Sequence, residues 1–179
     1  MKCWSRRGAA FDGSGFRSLE ARIVPPWGAD PGGRDLERAA LLGRDAYRHW
    51  AQVPTRLNDN DAYGHVNNTV YYQWFDTVVN QWLIEQGLLD IGRGDLIGLV
   101  VETGCRYARS IAFPEAVDIG LAVSRIGTSS VTYRLGVFAQ GSDAIAAQGN
   151  FTHVYVGRDS RQPVPLPGIW RDVLATLQQ

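Results

Sequence analysis

Methionine occurs once in this chain and cysteine only twice. Cys3 and Cys105 lie far apart and lack the spacing of metal ligands, so no metal centre is expected and a reduced, cytoplasmic setting is the simplest reading. Net charge is missing as well: eighteen basic residues balance eighteen acidic ones. That balance removes the electrostatic case for a nucleic-acid partner. No stretch approaches the ~18 uninterrupted apolar residues of a membrane span. Ser5-Arg6-Arg7 followed by Phe11 has the outline of a twin-arginine export signal, but Asp12, Gly13, Ser14, Gly15 and Arg17 interrupt the apolar stretch that should follow, and export is not expected. Phosphate-binding glycine loops and Ser-His-Asp signatures are absent too, and Gly13-Ser14-Gly15 is too short for a nucleophile elbow.

What is present is enough for a core. The chain has 179 residues, 45% hydrophobic and 20% charged, the balance of one folded domain with an appendage. Residues 1–33 contain six Gly and three Pro and no sustained period. Asp35 to Tyr47 has the apolar spacing of a short helix weakened by Gly43, and residues 1–46 are read as an N-terminal extension that is poorly ordered.

The richest stretch is 55–87, TRLNDNDAYGHVNNTVYYQWFDTVVNQWLIEQG. From Tyr71 the apolar residues Trp74, Phe75, Val78, Val79, Trp82 and Leu83 follow helical spacing, with Gln73, Asp76, Thr77, Asn80 and Gln81 on the other face. Asn67 and Asn68 are N-cap types and Gly87 is a C-terminal stop, so both ends are marked. So wide an aromatic stripe calls for a sheet opposite it. The free N–H groups at the start of such a helix favour an anion or a developing oxyanion, and the residues just before it include Asp59, Asp61 and His65. Asp59, Asn60 and Asp61 also suit a plain turn, because their side chains bond local backbone. On the polar face of the helix, Gln73 and Asp76 read as solvated surface, and His49 and His153 as structural.

The remaining chain reads as strands. Residues 48–58 form a first strand with Pro54 at an edge or bulge. Leu99 to Ser110 alternates, with Val101, Thr103, Cys105 and Tyr107 on one face. Val117 to Ile126, Val131 to Ala139 and Ala144 to Val156 follow with short turns between, implying a largely antiparallel sheet of five strands in an α+β fold. Residues 168–179 can form a short terminal helix with Trp170, Val173, Leu174 and Leu177 on one side.

The run Asp59-x-Asp61-x-x-Gly64, continued by His65-Val66-Asn67-Asn68 and the long helix, resembles the opening of hotdog-fold thioesterases of the 4-hydroxybenzoyl-CoA thioesterase type. The resemblance extends through the final strand to the Arg-x-Pro-x-x-Leu-Pro ending at residue 167, so 47–167 is expected to be the hotdog domain and 168–179 a tail. It implies one long central helix wrapped by a curved sheet, and hydrolysis of an acyl-CoA or acyl-carrier-protein thioester without a cofactor, CoA being part of the substrate. Asp61 becomes the candidate carboxylate, as nucleophile or general base, and the Asn68 N–H the candidate oxyanion donor. Asn67 and His65 are neighbours that orient water or substrate, and Asp59 and Gly64 belong to the loop that receives it. Arg106, Arg109 and Arg125 are candidates to reach CoA phosphates. Tyr63, Tyr71, Tyr72 and Trp74 either line an aromatic acyl pocket or fill core. The family habit implies a homodimer or homotetramer with the site at a subunit boundary. Two rivals share the fold: an enoyl-thioester hydratase or dehydratase using Asp61 with His65, and a non-catalytic module that binds an acyl thioester.

Overall fold

The computed structural model describes residues 40–178. Most of the N-terminal extension, including the start of the expected Asp35–Tyr47 helix, lies outside the described residues. The part within them, Arg44–Ala46, is a single 3-10 turn rather than α-helix, and Tyr47 after it is extended.

Five strands follow: β1 (His49–Pro54), β2 (Leu96–Tyr107), β3 (Ala116–Ile126), β4 (Ser130–Ala139) and β5 (Ile145–Gly157). They form one antiparallel sheet in the order β1-β3-β4-β5-β2. Between β1 and β2 runs α1 (Asn68–Glu85), and α2 (Gly168–Ala175) closes the chain. The first strand is shorter than the expected 48–58. Pro54 has no N–H to extend the ladder, and Leu57–Asp59 turns into a 3-10 helix instead.

Each strand from β3 to β5 buries alternate residues against α1. Val117, Ile119, Leu121 and Val123 in β3 and Val131, Tyr133, Leu135 and Val137 in β4 are all essentially inaccessible. They share one cluster with Trp74, Phe75, Val78, Val79, Trp82 and Leu83 of α1, which is the stripe marked by sequence spacing. Gly149 on β5 is required here, because a Cβ would collide with the Phe75 ring. Trp170, Leu174 and Leu177 of the tail join the same cluster, with the Trp170 and Tyr155 ring centroids 4.8 Å apart in an edge-on arrangement.

Alternation fails on β2. The register slips between Val100 and Glu102, so Val100 pairs with His153 while Thr103 pairs with Phe151, leaving Val101 as the extra residue of a bulge. Val101 is therefore 59% exposed and does not continue the Thr103–Cys105–Tyr107 face. β2 is also an edge strand, and Leu99 and Val100 are exposed with it.

A smaller apolar cluster occupies the opposite face of the sheet, where Tyr47 and Phe138 are buried with Ala122, and Trp50 and Ile145 pack around them. Tyr47 lies on Gly136 so closely that a Cβ there would collide with its ring. Arg44 seals this patch: its guanidinium carbon is 4.2 Å from the Trp50 ring centroid and it pairs with Asp118 at 3.0 Å. Among the described residues no helix is long and apolar enough to cross a membrane.

Candidate active site

The chain leaves β1 at Pro54 and must turn back to start α1. Asp59 organises that turn. It is 3% exposed, and its carboxylate accepts the Arg56 backbone N–H at 2.7 Å and the Arg56 Nε–H at 3.2 Å, with an ion pair to Nη2 at 3.1 Å. Its carbonyl accepts the Asn67 N–H at 2.8 Å. A buried carboxylate is tolerated only when paired and hydrogen-bonded, and here the pairing ties the end of β1 to the start of α1.

Asp61 is half-buried and serves the next stretch of loop. Its Oδ1 accepts the N–H of Tyr63 at 2.8 Å and of His65 at 3.4 Å, while its own N–H donates to the His65 carbonyl at 2.8 Å. Gly64 supplies the left-handed step with φ at 83°, which a side chain would resist. Among the described residues Oδ2 of Asp61 has no partner, and the exposed His65 ring makes no bond to it.

At the helix start the Asn67 side chain is the N-cap, accepting the Thr69 N–H at 3.0 Å and the Thr69 hydroxyl at 2.9 Å. Asn67 also takes the Val70 N–H on its carbonyl at 3.0 Å. The Asn68 N–H is thus the first-turn donor left without an acceptor among the described residues. The Tyr107 hydroxyl donates to the Asn68 carbonyl at 3.4 Å, tying the far end of β2 to the same turn.

Beside this junction lies a cleft of about 540 Å³, lined by Arg56, Leu57, Asn58, Asp59 and Asn60 on one side and Asn67, Thr69, Val70 and Gln73 on the other. Of the residues singled out from sequence, it brings together Asp59 and Asn67. Asp61, His65 and Asn68 sit at the loop and helix start but are not part of its lining. Tyr63 points outward at 86% exposure, Gly64 shapes the loop, and Arg106 and Arg109 are exposed on and just after β2, away from the cleft. Arg125 is exposed near the end of β3, and Tyr71 and Trp74 are core residues. Sequence reading passed over Arg56 and Asn58 and took Gln73 for solvated surface, whereas all three line the cleft. Thr69 and Gln73 are one helical turn apart, a signal that places them on one face, but nothing local in Arg56 or Asn58 marks them.

Two groups, one half-buried and one buried, are held out of acid-base work. Burial pushes the Cys105 thiol up to about 11, so it stays protonated and weakly nucleophilic at neutral pH. His153, 2% exposed, is ringed by Tyr133, Phe151 and Tyr155, and among the described residues neither ring nitrogen has a hydrogen-bond partner. Burial lowers its pKa to about 4, against a weaker opposite pull from Asp76. Among the described residues no three His, Cys, Asp or Glu side chains converge as metal ligands would.

Residues 55–177 match the model of the thioesterase-like superfamily. The solved PA5185 protein of Pseudomonas aeruginosa strain PAO1 is 50% identical, covering 76% of this chain and 96% of its own, with a TM-score of 0.74. The PA2801 protein of the same species is 26% identical over 72% of this chain and 98% of its own, with a TM-score of 0.67. Slr0204, a 1,4-dihydroxy-2-naphthoyl-CoA thioesterase from Synechocystis, shares the fold at 18% identity, 70% and 94% coverage and a TM-score of 0.64. No curated protein matches the chain.

Proposed function

The chain belongs to the thioesterase-like superfamily, and on that premise we propose that it hydrolyses an acyl-CoA or acyl-carrier-protein thioester to a free acid and a thiol. The observation that carries this reading is the loop–helix junction, where among the described residues Asp61 keeps one carboxylate oxygen free and Asn68 keeps one backbone N–H free. Asp61 either attacks the thioester carbonyl, giving a mixed anhydride that water then hydrolyses to the free acid, or takes a proton from the attacking water and passes it to the leaving thiolate. The Asn68 N–H, at the positive end of α1, stabilises the oxyanion until the C–S bond breaks and the thiol leaves. Asn67 holds the helix start, and His65 orients water or substrate from the exposed rim. In this scheme the protein follows the 4-hydroxybenzoyl-CoA thioesterase type that its Asp59-x-Asp61-x-x-Gly64 run resembles. It needs no cofactor and works in the cytoplasm.

The unpaired edge of β2, with Leu99, Val100 and Val101 exposed, is where a second protomer joins to give a homodimer or homotetramer. Arg106 and Arg109, on and beyond that strand, then face CoA phosphates at the boundary.

One observation favours a second reading, a non-catalytic module that binds an acyl thioester. Both bonds to Asp61 Oδ1 come from its own loop, the pattern of a carboxylate that shapes a turn. A thiol-release screen over short, long and aromatic acyl-CoA and acyl-carrier-protein thioesters separates the two, with crotonyl-CoA hydration assayed in parallel for the hydratase alternative. Asp61→Asn is expected to lower kcat by roughly 100-fold or more with little change in melting temperature. An unaltered rate in that variant would move the chemistry away from Asp61, and a folded wild type inactive on every ester would favour the binding module.

A further inference from the structure

We propose that Tyr107 is a positioning residue for the hydrolysis: its hydroxyl holds the first turn of α1 from the sheet, so that the free Asn68 N–H stays aimed where the oxyanion forms. This inference rests on the thioesterase reading and on the oxyanion role given there to Asn68.

The strand pattern delivers the side chain. Thr103, Cys105 and Tyr107 of β2 stand opposite Phe151, Gly149 and Ala147 of β5. Residues directly opposite one another in adjacent strands share a face, and here it is the face that packs on α1, where Gly149 lies against Phe75. Tyr107 is the last residue of β2, and its ring meets Tyr71 of α1 edge-on with the centroids 5.1 Å apart. That contact restricts the rotamers open to Tyr107 and brings its hydroxyl to the Asn68 carbonyl at 3.4 Å.

What this bond adds is a hold from outside the loop. The Thr69 N–H and hydroxyl on the Asn67 side chain, the Val70 N–H on the Asn67 carbonyl and the Asn67 N–H on the Asp59 carbonyl all come from nearby in sequence, and they fix the N-terminal side of Asn68. The Tyr107 bond comes from a strand 39 residues away and fixes the carbonyl side. Helix ends fray because their first turn is bonded on one side only, and a donor that stabilises developing charge must be in place beforehand. The phenol also keeps its proton. Burial, with the Cys105 thiol and Tyr72 hydroxyl beside it, raises its pKa well above the ordinary phenol range, so it remains a donor throughout neutral pH.

The test separates the hydroxyl from the ring. Tyr107→Phe keeps the ring against Tyr71 and removes the donor, whereas Tyr107→Leu removes both. On the ester that the screen cleaves fastest, Tyr107→Phe should lower kcat about five- to tenfold, the effect of one modest hydrogen bond, with KM within about twofold and the melting temperature within about two degrees of wild type. Tyr107→Leu should also melt several degrees lower, while its kcat falls no more than about twofold further. Phenylalanine thus rescues stability without rescuing rate. A wild-type kcat in Tyr107→Phe, or a loss carried by KM, would overturn the assignment. Amide hydrogen exchange over residues 68–72 reads the same hold without catalysis and should quicken severalfold in Tyr107→Phe. Unchanged exchange would remove the hold whatever the rates give. If exchange quickens while the wild type cleaves no ester, the hydrolase reading fails and the hold of Tyr107 on the turn stands.

Discussion

Phe75, on the inward stripe of α1, has no exposed surface, and the strand facing it must carry glycine at position 149 to make room. Asp61, in the loop that leads into the same helix, is half-buried and makes its hydrogen bonds to the backbone of its own loop. The first residue is held by many close-packed neighbours drawn from distant parts of the chain, and each contributes a small dispersion and burial gain. The second is held by two backbone N–H groups within four residues of itself in sequence. Stability should therefore be concentrated under α1 and chemistry in the loop, so that damage to one leaves the other largely intact.

The sharpest way to break that separation is Phe75→Ala. A cavity in so tightly packed a core should cost about 3–5 kcal/mol of unfolding free energy in urea titrations. The rate per folded molecule should change far less than in Asp61→Asn. If activity per folded molecule fell as steeply as stability, the two regions would be one cooperative unit.

Acid tests the core by charge instead of volume. The folded-state pKa of His153, about 4, lies below its ordinary 6.5, so the folded protein binds this proton less readily than the unfolded chain does. Nothing is lost above pH 6.5. As pH falls from 6.5 towards 4 the unfolded state takes up the proton first, and stability should drop by up to about 3 kcal/mol. His153→Leu should flatten that part of the stability profile relative to wild type. An identical slope in the two proteins would mean that other groups, and not this buried ring, set the acid limb.

The smallest effect is expected at the boundary between the two regions. Asn67→Ala removes the acceptor for the Thr69 N–H and hydroxyl, which should lower stability by about 1 kcal/mol. Because the same residue fixes where the Asn68 N–H points, kcat should also fall severalfold, while Asn67→Asp should restore the cap. A loss of stability with kcat intact would separate helix capping from the oxyanion site.

Much of this was legible from residue order. The stripe from Tyr71 to Leu83, the stop at Gly87 and the Asn67 cap appear in the structure where spacing put them, because helix periodicity and end signals act over a few residues. The strands from β3 onward follow their alternation to within a residue or two. Less legible were the places where distant segments meet. The bulge at Val101 depends on how β2 settles against β5, and the 3-10 turn after β1 depends on Asp59 closing on Arg56. The motif residues stood out in the sequence as a group, yet which of them would border a cavity and which would be consumed in holding the loop did not.

Residue order by itself determined the helix, the alternating strands and the polar loop between them, since each is written in a period or a turn preference that needs no distant partner. Tertiary structure alone decided that Tyr47 would lie across Gly136 on the far face of the sheet, that His153 would be buried without a hydrogen bond among the described residues, and that Asn58 and Gln73 would line one cleft. Those outcomes depend on contacts between residues whose separation along the chain follows no period, so they emerge only when the sheet closes over its helix.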